Sequence, residues 1–445
     1  MTLVIMTIAL GYYGTISQQS AEKHSNTTHT TSSHEDEGRQ ASHEMSHSSS
    51  GQLAYVGNDG NIYVTTADGS SKMAITHDAT AGPEDAGFSY HRISWSPDGR
   101  LAFAGVHRNA DQASEAKLYV TALDGQPARL IGESDSHFVI YIYWSPVACP
   151  KRPDCRQLAY LIEEEEDIAL RLVELEGEQV SNRVIGQGWP FYYSWHPDGQ
   201  SMLWHTGGAQ RYFADKSKLT QYQLADDKRQ LLEMPLGLFV APAWSPEGDK
   251  WLAVSAKEVD TDELQLFEGQ KSTVLDSATD SQVVFSWSPD GSQVAYARRQ
   301  EDENPFFGPI HIYDTKTGES NRLTDIDLRI QGFFWSPDGN RLAYLTWLPL
   351  PNNTWTQWRI YDFQNKEDRG FKAFYPSPQM HFMISSFNQY AQSHRFWSPD
   401  GRYLVYANRD QQLVDRVWII DTLDNESGTE ATQIGYGSFG AWSWE

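Results

Sequence analysis

The sequence Trp-Ser-Pro-Asp-Gly-Arg-Leu-Ala-Phe at residues 95–103 is the strongest indication of the fold, because versions of it return from there to the C-terminal residues. Apolar and aromatic residues lead into Ser-Pro-Asp-Gly, and a run rich in Leu, Ala and aromatic residues leads out. Pro97 sets φ for the first corner of a turn, the Asp98 side chain can bond nearby backbone, and Gly99 can take the positive φ that ends the loop. The stretch therefore predicts two antiparallel strands joined by a tight turn.

Copies of this hairpin repeat at a fixed spacing. The repeated tryptophans are Trp95, Trp144, Trp195, Trp244, Trp287, Trp335, Trp397 and Trp442. Their intervals average roughly 50 residues, in the range expected of propeller blades. A third strand follows each hairpin, and the eight third strands begin at Ile62, Leu118, Leu170, Leu219, Leu264, Ile310, Trp358 and Val417.

The two ends of the repeat region complement each other. We call the first strand of each hairpin, which ends in a repeated tryptophan, a tryptophan strand. The strands that begin near Gly51 are not preceded by a tryptophan strand, whereas residues 439–444 form one that has no partners of its own. Closing a ring removes the largest exposed strand edges. We therefore predict an all-β fold at residues 51–445, a single eight-bladed β-propeller with four-stranded antiparallel blades, whose first blade is completed by the C-terminal strand.

The charge balance bears on the partners. The chain of 445 residues has 35 basic and 59 acidic side chains, a formal net charge of -24 at pH 7. Such a surface repels phosphate backbones, so nucleic acid is not expected as a partner. An acidic balance also keeps a large β protein soluble.

The first 50 residues differ from the rest. Residues 3–13 are apolar and resemble the core of an export signal, so residues 1–16 are predicted to be a signal-like segment or anchor remnant. Residues 17–50 are polar and rich in His, Ser and Thr, which predicts a disordered tether. Irregular spacing of the histidines in this tether disfavours a specific metal site. We expect an extracytoplasmic protein, periplasmic, cell-surface or secreted, with a membrane tether at its N-terminus.

Both cysteines lie in one stretched turn. Cys149 and Cys155 follow Trp144 in an insertion that replaces the short Pro-Asp-Gly turn. They could form a metal or redox pair, but a metal would need two more ligands and the loop offers only Asp154. A structural disulfide that pins the enlarged loop is therefore favoured, and it would form in an oxidising compartment.

The Trp-Ser-Pro-Asp-Gly…Leu-Ala-Tyr repeats resemble the WD-like β-propeller repeats of the TolB family over residues 51–445. The resemblance implies a propeller fold and says little about function. TolB itself pairs a smaller propeller with an N-terminal α/β domain, whereas this chain has a polar tether in that position.

Candidate binding residues lie just before the repeated tryptophans, because these connections surround one mouth of a propeller channel. An aromatic rim with His and Gln suits peptides or sugars, although such aromatics can also simply pack between blades. Gln389, Gln392 and His394 follow an insertion in the longest of the seven intervals. The predicted ligand-binding residues are Tyr90, His91, His137, Trp189, Phe239, Gln389, Gln392 and His394.

The function predicted from these features is a non-catalytic scaffold. It would bind a protein, a peptide or a glycan at the channel mouth, as a monomer and without a cofactor or metal. A metal-assisted polysaccharide lyase is the alternative, since oligogalacturonate lyases have similar repeats and hold a metal near this mouth with histidines and a glutamine. Gln389, His394, His91 and His137 could converge there, but a second closely spaced histidine is absent, so no catalytic residue is predicted.

Overall fold

A computed structural model describes residues 51–109, 113–135, 138–164, 167–208, 217–258, 261–279, 282–299, 306–350, 353–424 and 431–445. Within these ranges the chain forms thirty strands and two short helices. None of the helices there has the length and apolar composition needed to cross a bilayer. The predictions for residues 1–16 and 17–50 lie outside the described residues.

Four of the sheets have four antiparallel strands each, paired in chain order. The first two comprise β4 (Gly87–Trp95), β5 (Leu101–Arg108), β6 (Ala113–Thr121) and β7 (Arg129–Ser134), then β8 (Val139–Trp144), β9 (Cys155–Glu164), β10 (Asp167–Glu176) and β11 (Gln179–Gly188). The next two comprise β12 (Phe191–Trp195), β13 (Ser201–Thr206), β14 (Lys218–Gln223) and β15 (Lys228–Leu232), then β16 (Ala243–Trp244), β17 (Lys250–Glu258), β18 (Thr261–Glu268) and β19 (Lys271–Thr279).

An eight-stranded sheet consists of two such groups. One group is β20 (Val283–Trp287), β21 (Gln293–Arg299), β22 (Phe307–Asp314) and β23 (Ser320–Arg322). The other is β24 (Ile330–Trp335), β25 (Arg341–Leu350), β26 (Asn353–Asp362) and β27 (Glu367–Gly370). The single pair Phe307↔Ile330 joins them.

A six-stranded sheet brings the two ends of the described chain together. Its order is β28 (Tyr403–Arg409), β29 (Asp415–Asp421), β30 (Thr432–Trp442), β1 (Leu53–Gly57), β2 (Ile62–Thr65) and β3 (Met73–Ala74). The first half of β30 pairs with β29, and its second half pairs with β1, with Phe439 opposite Val56 and Trp442 opposite Leu53. The predicted pairing of the C-terminal strand with the first strands is therefore confirmed.

Burial falls from the first strand of each group to the fourth. All six residues of β24 are buried, whereas all three residues of β23 and most of β15 are exposed. The tryptophan strands thus lie on the inside and the fourth strands on the outside. This radial order and the nearly all-β content are consistent with a β-propeller.

The repeated tryptophans connect successive groups. The Trp95 indole N–H donates to the Ala441 carbonyl (3.0 Å), and the Trp144 indole N–H donates to the Ser94 carbonyl (3.0 Å). The same bond to the preceding tryptophan strand is made by Trp195, Trp287, Trp335 and Trp397. A buried indole N–H needs an acceptor, so this bond explains why tryptophan recurs at the end of the first strand.

The turns have the predicted conformation. Gly99 has a φ of +80°, in the left-handed region. The Ser96 hydroxyl donates to Asp98 (2.6 Å) and accepts from the Arg100 backbone N–H (2.8 Å), so the serine links the turn to the outgoing strand. In the stretched turn, Cys149 and Cys155 form the predicted disulfide, with their Cα atoms 5.3 Å apart.

Candidate functional site

The long insertion before Trp397 forms a segment that we call the plug, residues 377–394. It contains α1 (Pro378–Ser385) and α2 (Phe387–Tyr390). Ser377 caps α1 by accepting the Met380 backbone N–H, and Pro378 occupies the first turn, where its missing N–H costs nothing. The first strand of this group is correspondingly reduced to the isolated bridge between Trp397 and Leu404.

The plug contacts tryptophan strands from most of the groups. Ser377 donates to Ser438 on β30, and Arg92 on β4 donates to Gln379 (2.8 Å). Further contacts involve Tyr141 and Tyr143 on β8, Tyr193 on β12, Pro242 next to β16 and Gly332 on β24. These strands are far apart in sequence, so one short segment can reach all of them only where they converge. The plug therefore fills the centre of the ring.

Gln389 attaches α2 to β12 through a pair of hydrogen bonds. Its amide oxygen accepts the Tyr193 backbone N–H (3.0 Å), and its amide nitrogen donates to the Tyr193 carbonyl (2.7 Å). Only 1% of Gln389 is exposed. The side chain thus replaces the partner strand that the inner edge of β12 lacks.

Apolar packing holds the rest of the plug. Met380, Met383 and Ile384 of α1 are buried, as are Phe387 and Tyr390 of α2. The Phe387 ring lies against Gly332, where an added Cβ would come within 2.8 Å of the ring. The glycine in this otherwise bulky strand therefore makes room for the plug.

The two described histidines of the predicted site are buried and held apart. The His91 ring stacks on Phe138 (4.4 Å between centroids) and lies 3.3 Å from the Val139 carbonyl. The His394 ring packs between Phe396 and Phe439. Burial lowers the pKa of His91 well below its usual value and lowers the pKa of His394 to about 3. Both rings are therefore neutral at pH 7.

The other predicted site residues have separate positions. The buried Tyr90 packs on Phe103 and Tyr119 inside its own sheet, and its hydroxyl donates to Asp78 (2.8 Å). Gln392 donates from its amide to the Pro242 carbonyl (2.9 Å).

Trp189 and Phe239 are half-buried. Trp189 lines an outer cleft of about 520 Å³ between β11 and β13, and Phe239 stacks on Tyr192. His137 lies outside the described residues. Within the described part of the chain, no group of three or more His, Cys, Asp or Glu is placed to hold a metal.

Sequence reasoning missed Arg92, which lies at a distortion of the innermost strand. The register of β4 shifts between His91 and Ile93, and Arg92 has a φ of +48°, in the left-handed region. A bulge of this kind re-aims a side chain. Arg92 donates to the Ile140 carbonyl (3.0 Å), and its guanidinium lies over the rings of Phe138 and Phe382.

We use the name upper mouth for the end of the channel at which the tryptophan strands begin. Its defining residues are Arg108, Phe138, Arg329, Trp347 and Phe382. The Arg108 guanidinium lies 5.7 Å from the Phe138 ring centroid, and the Arg329 guanidinium lies 4.8 Å from the Trp347 ring centroid. The aromatic rings are half-buried, and Arg329 is exposed. The helix α1 reaches the Phe138 side of this mouth through Phe382, because the Arg92 guanidinium lies over both rings.

The arginines of the upper mouth lack carboxylate partners among the described residues. Arg108 donates to the Ser89 hydroxyl (3.2 Å), while the nearby Glu84 carboxylate binds Arg409 (2.7 Å) instead. Burial and the neighbouring Arg92 charge lower the pKa of Arg108, and the Glu84 charge opposes them. Among the described residues, the upper mouth of this chain of net charge -24 thus presents guanidinium groups without an ion pair beside aromatic faces.

Comparisons with known proteins concern the fold. No protein-family model and no curated protein sequence matches the chain. TolB from Acinetobacter baumannii is similar in structure at 16% identity, with a TM-score of 0.39 over 78% of this chain and 82% of that chain. An oligogalacturonate lyase from Vibrio parahaemolyticus has 10% identity and a TM-score of 0.47, over 79% and 85% of the two chains.

A puromycin-hydrolyzing peptidase from Mycobacterium tuberculosis has 12% identity and a TM-score of 0.47, over 78% of this chain and 53% of that chain. These proteins differ in activity, so the likeness selects none of their functions.

Proposed function

We propose that the chain is a closed propeller of eight blades that acts as a non-catalytic binding scaffold, and that it captures an acidic peptide segment at the upper mouth. Each of the eight repeated tryptophans belongs to one group of strands, and β30 serves the last group and the first. An eight-membered ring accounts for both facts.

The observation that carries the proposal is the combination of the plug with the unpaired arginines. Because the plug fills the channel, a ligand at the upper mouth meets a floor made by α1 and not an open tunnel. Arg108 and Arg329 stand at the rim of that floor, and neither has a carboxylate partner among the described residues. A ligand that supplies carboxylates would satisfy them.

The rim chemistry favours carboxylates joined to apolar groups. A guanidinium recognises a planar carboxylate through two parallel hydrogen bonds, and stacking on an aromatic ring fixes its orientation. Phe138, Phe382 and Trp347 supply flat apolar surface next to these charges. An acidic peptide with aromatic or aliphatic side chains fits this surface, whereas the overall negative charge disfavours a polyphosphate.

The disulfide supports the location that we propose. Disulfides form and persist outside reducing compartments. The Cys149–Cys155 bridge therefore favours a periplasmic, cell-surface or secreted protein.

The proposal is tested with a fluorescein-labelled Ala-Glu-Phe-Glu-Ala peptide and its counterpart in which both Glu are Gln. Fluorescence anisotropy should show tighter binding of the Glu peptide. Arg108→Gln and Arg329→Gln should each weaken that binding by about tenfold, the loss expected for one charged contact of about 1.4 kcal/mol. Arg322→Gln, on the exposed outer strand β23, is the matched control and should bind as the wild type does.

Three outcomes would change or replace the proposal. Equal binding of the two peptides, or no effect of the rim substitutions, would remove the upper mouth as an acidic-peptide site. Tight binding of an acidic glycan in place of the peptide would support the upper mouth as the binding site but identify its ligand as a glycan. Stoichiometric metal that survives dialysis, together with unsaturated product from oligogalacturonate, would establish the lyase alternative.

A further inference from the structure

A second guanidinium lies at the other end of the plug. Arg395 directly follows the plug and precedes Trp397, so it lies near the end of the channel where the tryptophan strands finish. Its guanidinium lies 3.4 Å from the ring centroid of Trp444. The Trp444 indole N–H in turn donates to the Trp95 carbonyl (2.9 Å), which fixes the ring at this lower end.

The surroundings of Arg395 contain no compensating charge. No carboxylate among the described residues lies within ion-pair distance of the guanidinium, and Tyr143 is the group that acts on its charge. Burial lowers the pKa of Arg395 to about 10, so the side chain is still charged at pH 7. A charged group surrounded by protein is unfavourable unless something pairs with it.

The side chains around Arg395 are not fully buried. Tyr143, Gln392, Arg395 and Trp444 are all half-buried, although they belong to elements that meet at the centre of the ring. The Tyr143 hydroxyl donates to the Gln392 carbonyl (3.1 Å), and the Gln392 amide donates to Pro242 (2.9 Å). These bonds hold the walls in place. We call these four residues the Arg395 pocket.

We propose that the Arg395 pocket binds a small carboxylate that enters from the end of the channel opposite the upper mouth. Stacking on Trp444 occupies one face of the guanidinium and leaves its N–H edges for a planar acceptor. A carboxylate matches those edges with two parallel hydrogen bonds. The carboxylate could belong to a peptide C-terminus or to a uronic acid, and the pocket recognises the chemistry that both share.

The site is independent of the proposed function, because the plug separates it from the upper mouth.

Calorimetric titration of the full chain distinguishes the two sources of carboxylate. N-acetylalanine is compared with N-acetylalanine amide, and D-glucuronate is compared with D-glucose. We expect heat of binding from at least one carboxylate and none from its neutral counterpart.

Substitutions assign the binding to the pocket. Arg395→Gln should weaken carboxylate binding at least tenfold, and Arg395→Lys should weaken it less, because lysine keeps the charge but not the fork of donors. Arg322→Gln on the exposed strand β23 is the matched control and should not change it. Unchanged affinity in Arg395→Gln, loss of affinity in Arg322→Gln, or equal binding of the neutral compounds would overturn the proposal.

A measurement on the wild-type protein covers the case in which the Arg395 variants fail to fold. Phenylglyoxal modifies accessible arginines, and peptide mass mapping reports the extent at each position. The bound carboxylate should slow modification of Arg395 and leave that of the exposed Arg322 unchanged. Equal rates at Arg395 with and without the carboxylate would refute the site.

Discussion

The attachment of the plug can be tested at Gln389. Replacing Gln389 with Leu keeps a similar volume at a position that is 1% exposed, but it removes the hydrogen bonds of 3.0 Å and 2.7 Å to the Tyr193 backbone. Leaving a buried donor or acceptor without a partner costs about 1–3 kcal/mol. Two such groups remain on Tyr193, so the free energy of unfolding should fall by about 2–6 kcal/mol.

Urea denaturation followed by tryptophan fluorescence measures this loss, and hydrogen exchange locates it. The Tyr193 amide should exchange faster in Gln389→Leu than in the wild type, because its acceptor is gone. Gln411→Leu is the matched control, since Gln411 is exposed, and it should change stability by less than about 0.5 kcal/mol. Unchanged exchange at Tyr193 together with an unchanged urea midpoint would refute the assignment of Gln389 as the plug anchor.

Three further predictions address the rest of the molecule. Deleting residues 437–445 removes the partner of β1 and should lower the free energy of unfolding by more than about 3 kcal/mol or prevent folding; an unchanged melting temperature would contradict the closing strand. Replacing both Cys149 and Cys155 with Ser should cost only about 2 kcal/mol, because the loop is short; titratable thiols in the wild-type protein would contradict the bridge. Burial lowers the pKa of His205 to about 4 and that of His394 to about 3. As the pH falls below about 6.5, these histidines are therefore protonated in the unfolded chain before they are protonated in the folded protein. Each histidine should lower the free energy of unfolding by about 2 kcal/mol by pH 5. His205→Gln should flatten the dependence of stability on pH in that window, and an identical slope in urea titrations would contradict the buried neutral state.

Much of the fold could be predicted because the repeated hairpin sequence specifies it. The hairpin turns, the third strands and the pairing of Trp442 with Leu53 all follow from residues that recur at one spacing. The hydrogen bonds from six of the eight repeated indoles to the preceding tryptophan strand could not be predicted, because they depend on how neighbouring groups pack. The sequence shows only that tryptophan recurs.

The candidate site was less predictable for a physical reason. The long interval before Trp397 marked the region of Gln389 and His394, but sequence position cannot show whether an insertion leaves the ring or turns into it. Here α1 and α2 turn inward, and Gln389 bonds to backbone. Its ligand role, like that of His394, remains a prediction that no observation tests.

Arg92 and Arg395 could have been selected as candidate site residues from the sequence. Arg92 and Arg395 precede Trp95 and Trp397 by three and two residues, and each is the one Asp, Glu, Lys or Arg in the ten residues before its tryptophan except for Asp85. That pattern is a usable signal for groups that face the centre of a ring. The bulge that re-aims Arg92 and the stacking of Arg395 on Trp444 depend on tertiary contacts and have no local signature.

Peptide binding at the upper mouth is tested by hydrogen exchange on the full chain with and without the Ala-Glu-Phe-Glu-Ala peptide. A scaffold that binds at the upper mouth above a fixed plug predicts added protection in residues 105–109, 138–142 and 378–386, and no change in the outer strands β15 and β23. Protection confined to the outer strands, or a plug that exchanges as fast as an unfolded chain before any peptide is added, would contradict it.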